Sequence, residues 1–161
     1  MAGLSSVTAP PASPDCTVIW AKDRFVLSQK DYNTQYEPIW YGWLEGAPRL
    51  CRVGDDKQSD LWQFDRPAQS PLHPTTKPVA LAAKAILNSS QEGDAVLDLF
   101  GGSGTTMLAA EQAGRACYMT ECEPKYCDVI CRRMAAHWNA DENIFLLRNG
   151  QKTAWRELSQ T

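Results

Sequence analysis

The sequence predicts an α/β fold, and three observations carry the prediction. A short apolar run of strand type, Ala95-Val96-Leu97, ends at the carboxylate Asp98 and is followed by glycines at 101, 102 and 104. A run that reads as helix, Thr105 to Ala113, comes next. A second strand candidate, Arg115 to Thr120, then delivers Glu121 at its tip. Strand, glycine turn and helix in this order is how an α/β sheet brings backbone close to a ligand, because glycine lacks the Cβ that would hold it off.

The remaining elements follow in chain order. Residues 1–15 are rich in Ser, Ala and Pro and read as a disordered lead-in. Thr17 to Trp20 and Phe25 to Leu27 carry strand-type residues around the charged turn Lys22-Asp23-Arg24. Pro38 to Trp43 is a second strand candidate, too rich in aromatics and glycine for a helix, with Trp40, Tyr41 and Trp43 on alternate faces. Such aromatics more often pack a core than stack on a base. Residues 45–69 have poor periodicity and many turn residues. Their Arg49, Arg52, Lys57 and Arg66 read as scattered surface charge, with phosphate contact as the alternative.

His73-Pro-Thr-Thr-Lys-Pro78 brackets polar groups with prolines, so the loop is stiff and its Thr and Lys side chains are pre-aimed. Pro78 is expected as the first helical residue, with Thr76 or Lys77 at the cap. The helix expected over Val79 to Leu87 puts Val79, Ala82, Ala83, Ile86 and Leu87 on one face. Pro124 opens a further helix, Lys125 to His137, whose Tyr126, Val129, Ile130 and Met134 fit a 3.6 period. Arg132 and Arg133 then fall on its outer, solvated side. Ile144 to Leu147 reads as a last strand, and residues 149–161 as a polar tail with helix at Ala154 to Leu158.

Composition narrows the partners. The 161 residues leave room for one domain, and the net charge of −3 provides no global basic field for nucleic acid. Binding to double-stranded DNA would be conditional, resting on a local patch and sensitive to salt. The start, Met1 to Pro14, lacks the basic and apolar regions of a signal peptide, and no apolar run approaches a membrane span. Six cysteines without an export signal suggest reduced thiols and a cytoplasmic location. Cys117, Cys122, Cys127 and Cys131 cluster, but no C-x-x-C pair exists, so they are expected as small buried residues and no metal is expected. His137 has no partner at ligand spacing.

The glycine turn discriminates among ligands. No lysine follows Gly104 as a phosphate-binding P-loop requires, and Met107 stands where the dinucleotide fingerprint wants its third glycine. Asp98 at the strand end can accept from an ammonium group, and Glu121 lies close to the spacing at which a carboxylate grips ribose hydroxyls. One carboxylate for an amine and one for a ribose describe S-adenosylmethionine better than a nucleotide phosphate.

Several blocks then resemble one family. Asp98-Leu-Phe-Gly-Gly-Ser-Gly-Thr-Thr106 resembles the D-P-F-x-G-S-G-T-T cofactor motif of DNA methyltransferases acting on adenine or cytosine amino groups. His73-Pro-Thr-Thr-Lys-Pro78 is similar to the H-P-T-x-K-P motif that precedes it in the permuted, β-type members. Tyr118 to Asp128 is similar to their Y-x-x-E-x-D-P-x-Y segment, and Asp60-Leu-Trp62 to their S-x-x-W element. Thr17 to Phe25 and Tyr36 to Trp43 resemble blocks common in phage and prophage members. The resemblance spans roughly Cys16 to Trp138 and includes the order of the blocks.

It implies a Rossmann-like S-adenosylmethionine-dependent fold, with residues 16–148 as a partial methyltransferase domain and 45–69 as a short target-recognition-like region. It assigns S-adenosylmethionine to Asp98, Phe100, Gly101, Gly102, Ser103, Gly104, Thr105 and Glu121, with His73, Thr75 and Lys77 near the methionine end. It also makes Ala95–Leu99, Ala116–Thr120 and Ile144–Leu147 three neighbouring strands, with Thr17–Trp20 and Ile39–Trp43 as an antiparallel pair at the far edge.

Two central strands of the family sheet have no counterpart, and neither does its catalytic loop, [Asp/Asn/Ser]-Pro-Pro-[Tyr/Phe/Trp]. That loop accepts the amino protons and stacks on the flipped base. The one Pro-Pro pair, Pro10-Pro11, is flanked by alanines, so no catalytic residue is assigned. The chain is expected to be the C-terminal, cofactor-binding portion of an adenine-directed enzyme, with cytosine as the lesser alternative. Bare strand edges predict either a complementing chain or second copy, or closure of the far-edge pair directly onto the glycine-turn strand. The alternatives are an inactive cofactor-binding remnant or regulatory binding protein and, less well matched, a small-molecule methyltransferase.

Overall fold

The strand candidates around Trp20 and Trp40 do form a sheet. Residues 12–25, 27–44, 46, 58–67 and 76–158 are described by a computed structural model. The chain divides into two compact units, Met1–Asp65 and Arg66–Thr161. In the first, strand β1 (Ala12–Ala21) pairs antiparallel with β2 (Tyr36–Leu44) and parallel with β3 (Leu61–Gln63), giving the order β2-β1-β3. β1 reaches back into the stretch expected as lead-in, with a register shift between Pro14 and Cys16. Phe25 and Leu27 lie outside any strand, and Leu61–Gln63, expected only as part of a motif, is one.

Among the described side chains of this sheet, Val18, Trp20 and Trp62 are buried. The indole N–H of Trp20 donates to the Phe64 carbonyl at 2.8 Å. Lys22, expected in a charged turn, is buried; its ammonium pairs with Glu37 at 2.7 Å and lies 5.1 Å from the Trp20 ring centre. On β2 the alternation is real but splits the aromatics. Tyr41 and Trp43 are half-buried with ring centres 6.1 Å apart, whereas Trp40 is exposed and packs no core.

In the second unit, α1 (Val79–Ser89) packs on α2 (Thr105–Gln112). Their contact is made by small residues, Ala82 and Ala83 against the fully buried Ala109 and Ala110, with Ile86 between. Side chains this short let two helices approach closely and fill the space without voids. Pro78 is not the first helical residue. Its ψ of 133° keeps it extended at the N-cap, and no side chain caps the helix.

β4 (Ala95–Asp98) and β5 (Ala116–Met119) are parallel, with Asp98 opposite Met119. α2 connects them, so β4-α2-β5 is the βαβ unit the sequence predicts. Val96 and Cys117 pack beneath the helices, while Leu97 and Tyr118 on the opposite face are 68% and 64% exposed. Parallel strands are ordinarily covered on both faces; this pair is covered on one.

α3 (Pro124–Trp138) starts with Pro124 inside its first turn and ends at Asn139 in the left-handed region. The strand expected beside β5 does not join it. β6 (Phe145–Arg148) instead pairs antiparallel with β7 (Gln151–Ala154), inside the expected polar tail, and α4 (Trp155–Leu158) follows. Asn149 and Gly150 both have positive φ, 52° and 77°, the backbone of a two-residue hairpin turn. That local turn turns the chain back at Arg148, and Leu147 is left exposed.

Candidate functional site

The carboxyl end of β4 and β5 is where this fold gathers its polar groups. β4 stops at Asp98 because its side-chain Oδ1 accepts the Phe100 N–H at 2.9 Å, a local turn that competes with further extension. The turn is held against the next strand by two backbone bonds. The Gly101 N–H donates to the Thr120 carbonyl, and the Thr120 N–H donates to the Asp98 carbonyl, both at 2.9 Å. Gly101 is closely packed: a Cβ there would lie 2.9 Å from Met119 Sδ and 3.3 Å from the Thr120 carbonyl, so a side chain would require the Met119 thioether to move. Gly104 must be glycine for two reasons, a φ of 77° and a would-be Cβ 2.8 Å from Ile130 of α3.

Glu121 closes the turn from the other strand. Its Oε2 accepts the Gly102 N–H at 2.6 Å and its Oε1 accepts the Glu123 N–H at 2.9 Å. These two bonds, that from Glu123 first, hold its carboxyl below the usual carboxylate range, so it is anionic at neutral pH. Each carboxylate oxygen keeps a further lone pair for an incoming donor. Asp98 and Glu121 thus stand at the tips of adjacent strands with the glycine turn between them. The arrangement can accept two hydroxyl donors at Glu121 and a cationic or hydroxyl donor at Asp98.

Of the other expected site residues, Ser103 and Thr105 are buried in the turn and Phe100 is 89% exposed. Lys77 meets the site through its backbone, its carbonyl accepting the Thr105 hydroxyl at 3.4 Å. His73 and Thr75 lie outside the described residues.

Arg133, expected on the outer, solvated side of α3, is a functional candidate instead. It is half-buried and donates to the Ser103 carbonyl at 2.6 Å, the Ser103 hydroxyl at 3.1 Å and the Thr105 hydroxyl at 3.3 Å. Its spacing held the signal: three residues after Ile130 and four after Val129, both buried, it falls on the inner face of α3. Arg132 is exposed as expected.

The cysteines divide. Cys117 and Cys131 are partly covered, and burial raises both thiols, with Asp98 adding to the effect at Cys117 and Asp128 at Cys131. Cys122, before α3, and Cys127, near its start, are exposed, against expectation. Among the described residues no group of three or more His, Cys, Asp or Glu is placed to hold a metal, and no helix is long and apolar enough to cross a membrane.

The β4-α2-β5 unit with its glycine turn and two strand-tip carboxylates belongs to a Rossmann-like methyltransferase fold, as the likeness to solved structures shows. Over 76% of this chain and 63% of the other, it superposes on the M1.HpyAVI complex with SAM, with a TM-score of 0.68 and 25% identity. The cytosine-N4-specific PvuII DNA methyltransferase, 21% identical, shares the fold with a TM-score of 0.64 over 80% of this chain and 51% of its own. The DNA methylase family of N6/N4 enzymes matches residues 16–132, and the chain belongs to it.

The DNA adenine methyltransferase YhdJ of Escherichia coli (strain K12) is 39% identical over 78% of this chain and 54% of its own length. The type II methyltransferase M2.DpnII of Streptococcus pneumoniae is 29% identical over 74% of this chain and 42% of its own. The chain therefore spans about half the length of these relatives.

Proposed function

We propose that this chain is the S-adenosylmethionine-binding half of a DNA amino-methyltransferase directed at the exocyclic amino group of adenine. In this reading Glu121 accepts the two ribose hydroxyls and Asp98 the methionine ammonium. The Phe100–Thr105 turn lies against the cofactor, with the phenyl ring of Phe100 available to its adenine. Lys77, with His73 and Thr75 before it, serves the methionine carboxylate. The observation that carries the reading is Glu121 spanning the Gly102 and Glu123 amides, which presents an oriented anion beside Asp98. Adenine is favoured by the 39% identity to a protein named as a DNA adenine methyltransferase.

The proposed partner, besides double-stranded DNA, is a polypeptide carrying a Pro-Pro-aromatic loop. The exposed face of Leu97 and Tyr118 supports it, since a strand and helix added beside β4 would cover that face. A second reading is an inactive cofactor-binding chain.

Two measurements test these readings. Calorimetry with S-adenosylhomocysteine is expected to show binding that Asp98→Ala and Glu121→Ala each weaken; no binding by the wild-type chain rejects the proposed site. The chain alone is expected to transfer no labelled methyl group to DNA, and incorporation without a second polypeptide rejects the half-enzyme reading. Incorporation restored by a polypeptide bearing the missing loop separates the half-enzyme from the inactive chain.

A further inference from the structure

Arg133 reaches from α3 under the glycine turn to three oxygens, two of them side-chain hydroxyls of buried residues. No carboxylate pairs with it among the described residues, although burial disfavours its charged form. A half-buried guanidinium without a counter-ion is costly, so the bonds it makes have to compensate. Those bonds converge on one node. The Thr105 hydroxyl that accepts from Arg133 also donates to the Lys77 carbonyl, so α3, the glycine turn and the segment before α1 meet there. Beside the node, Ile130 fills the space under Gly104 and permits no side chain there.

We propose that Arg133 is a positioning residue for the glycine turn: it holds Ser103 and Thr105 in the conformation that presents the Gly101–Gly104 backbone to a ligand. It touches no ligand itself. The inference rests on the proposed cofactor site for its consequence, but the restraint it places on the turn exists without ligand.

The test therefore has two arms. In the ligand-free full chain, amide hydrogen exchange at Gly102 to Thr105 is expected to accelerate about tenfold or more in Arg133→Met and less in Arg133→Lys, which keeps the charge on a single donor nitrogen and loses the planar fork. Amides of β1 and β2 in the other unit should be unchanged. Arg132→Met, the same charge change on the exposed side of α3, should leave the turn as in the wild type. In the second arm, S-adenosylhomocysteine affinity should fall in the same order, wild type above Lys above Met.

Unchanged exchange in the turn of Arg133→Met overturns the inference whatever the ligand does. Accelerated exchange with wild-type affinity overturns its consequence for binding. Should the wild type bind no S-adenosylhomocysteine, the proposed function fails while the exchange arm still decides the role of Arg133. If Arg133→Met does not fold, Arg133→Lys carries both arms: faster exchange in the turn supports the inference, and wild-type exchange overturns it.

Discussion

At the scale of single residues, Glu121 does its work as a charged acceptor rather than as a shape. Glu121→Gln retains the outline but places an amide donor against the Gly102 or Glu123 N–H. Affinity for S-adenosylhomocysteine should drop roughly tenfold, the scale of a charge-assisted hydrogen bond, as read by calorimetry. Because the folded-state pKa is lowered from the ordinary 4.5, the carboxylate's contribution to stability is complete above that value. It is lost as pH falls through the lowered folded-state value. The difference in urea midpoint between wild type and Glu121→Gln should therefore be constant from neutrality to about pH 5 and shrink in stronger acid.

Asp98, Glu121 and the three glycines were legible because their chemistry follows from type and spacing alone. Arg133 was not. Whether an arginine beside a buried helical stripe is solvated depends on what the neighbouring loop offers it, and Ser103 lies thirty positions away.

Secondary elements differ in how far local sequence decides them. Gly104 and Gly150 share a φ of 77°, yet Ile130 crowds the first and nothing lies within 4 Å of the second. Gly150→Ala should cost only the left-handed strain, about 1–2 kcal/mol. Gly104→Ala adds overpacking against Ile130, for a total of about 2–5 kcal/mol. Urea unfolding of the two variants checks the difference, and equal losses would mean that Ile130 yields.

The β4-α2-β5 unit was readable because apolar runs and glycine punctuation mark it. The β6–β7 hairpin carried an equally local signal in Asn149-Gly150, but the polar composition of Gln151 to Thr153 argues for a tail. Only pairing with Phe145 to Arg148 makes a strand of it. Pro78 shows the reverse case. Its preference for the first helical turn is real, but an extended backbone places it one step outside α1.

At the scale of the whole molecule, the open face of the β4–β5 pair governs behaviour in solution. Leu97 and Tyr118 lie side by side on a pair with no further strand among the described residues, and should drive association of the isolated chain as concentration rises. Light scattering is expected to show this, and Leu97→Lys should abolish it without lowering S-adenosylhomocysteine affinity, since the substitution lies on the face away from the α1–α2 core. A chain that stays monomeric at all concentrations would show that the face needs no cover.

By itself the sequence determined the order of strand, turn and helix, the two carboxylates at the strand tips and the family, because each rests on short-range spacing and residue type. The tertiary structure alone decided which edges pair, which sheet face stays open and which arginine supports the glycine turn. Those outcomes depend on groups distant in the chain competing for the same hydrogen bonds and the same apolar surface, a competition that no local pattern records.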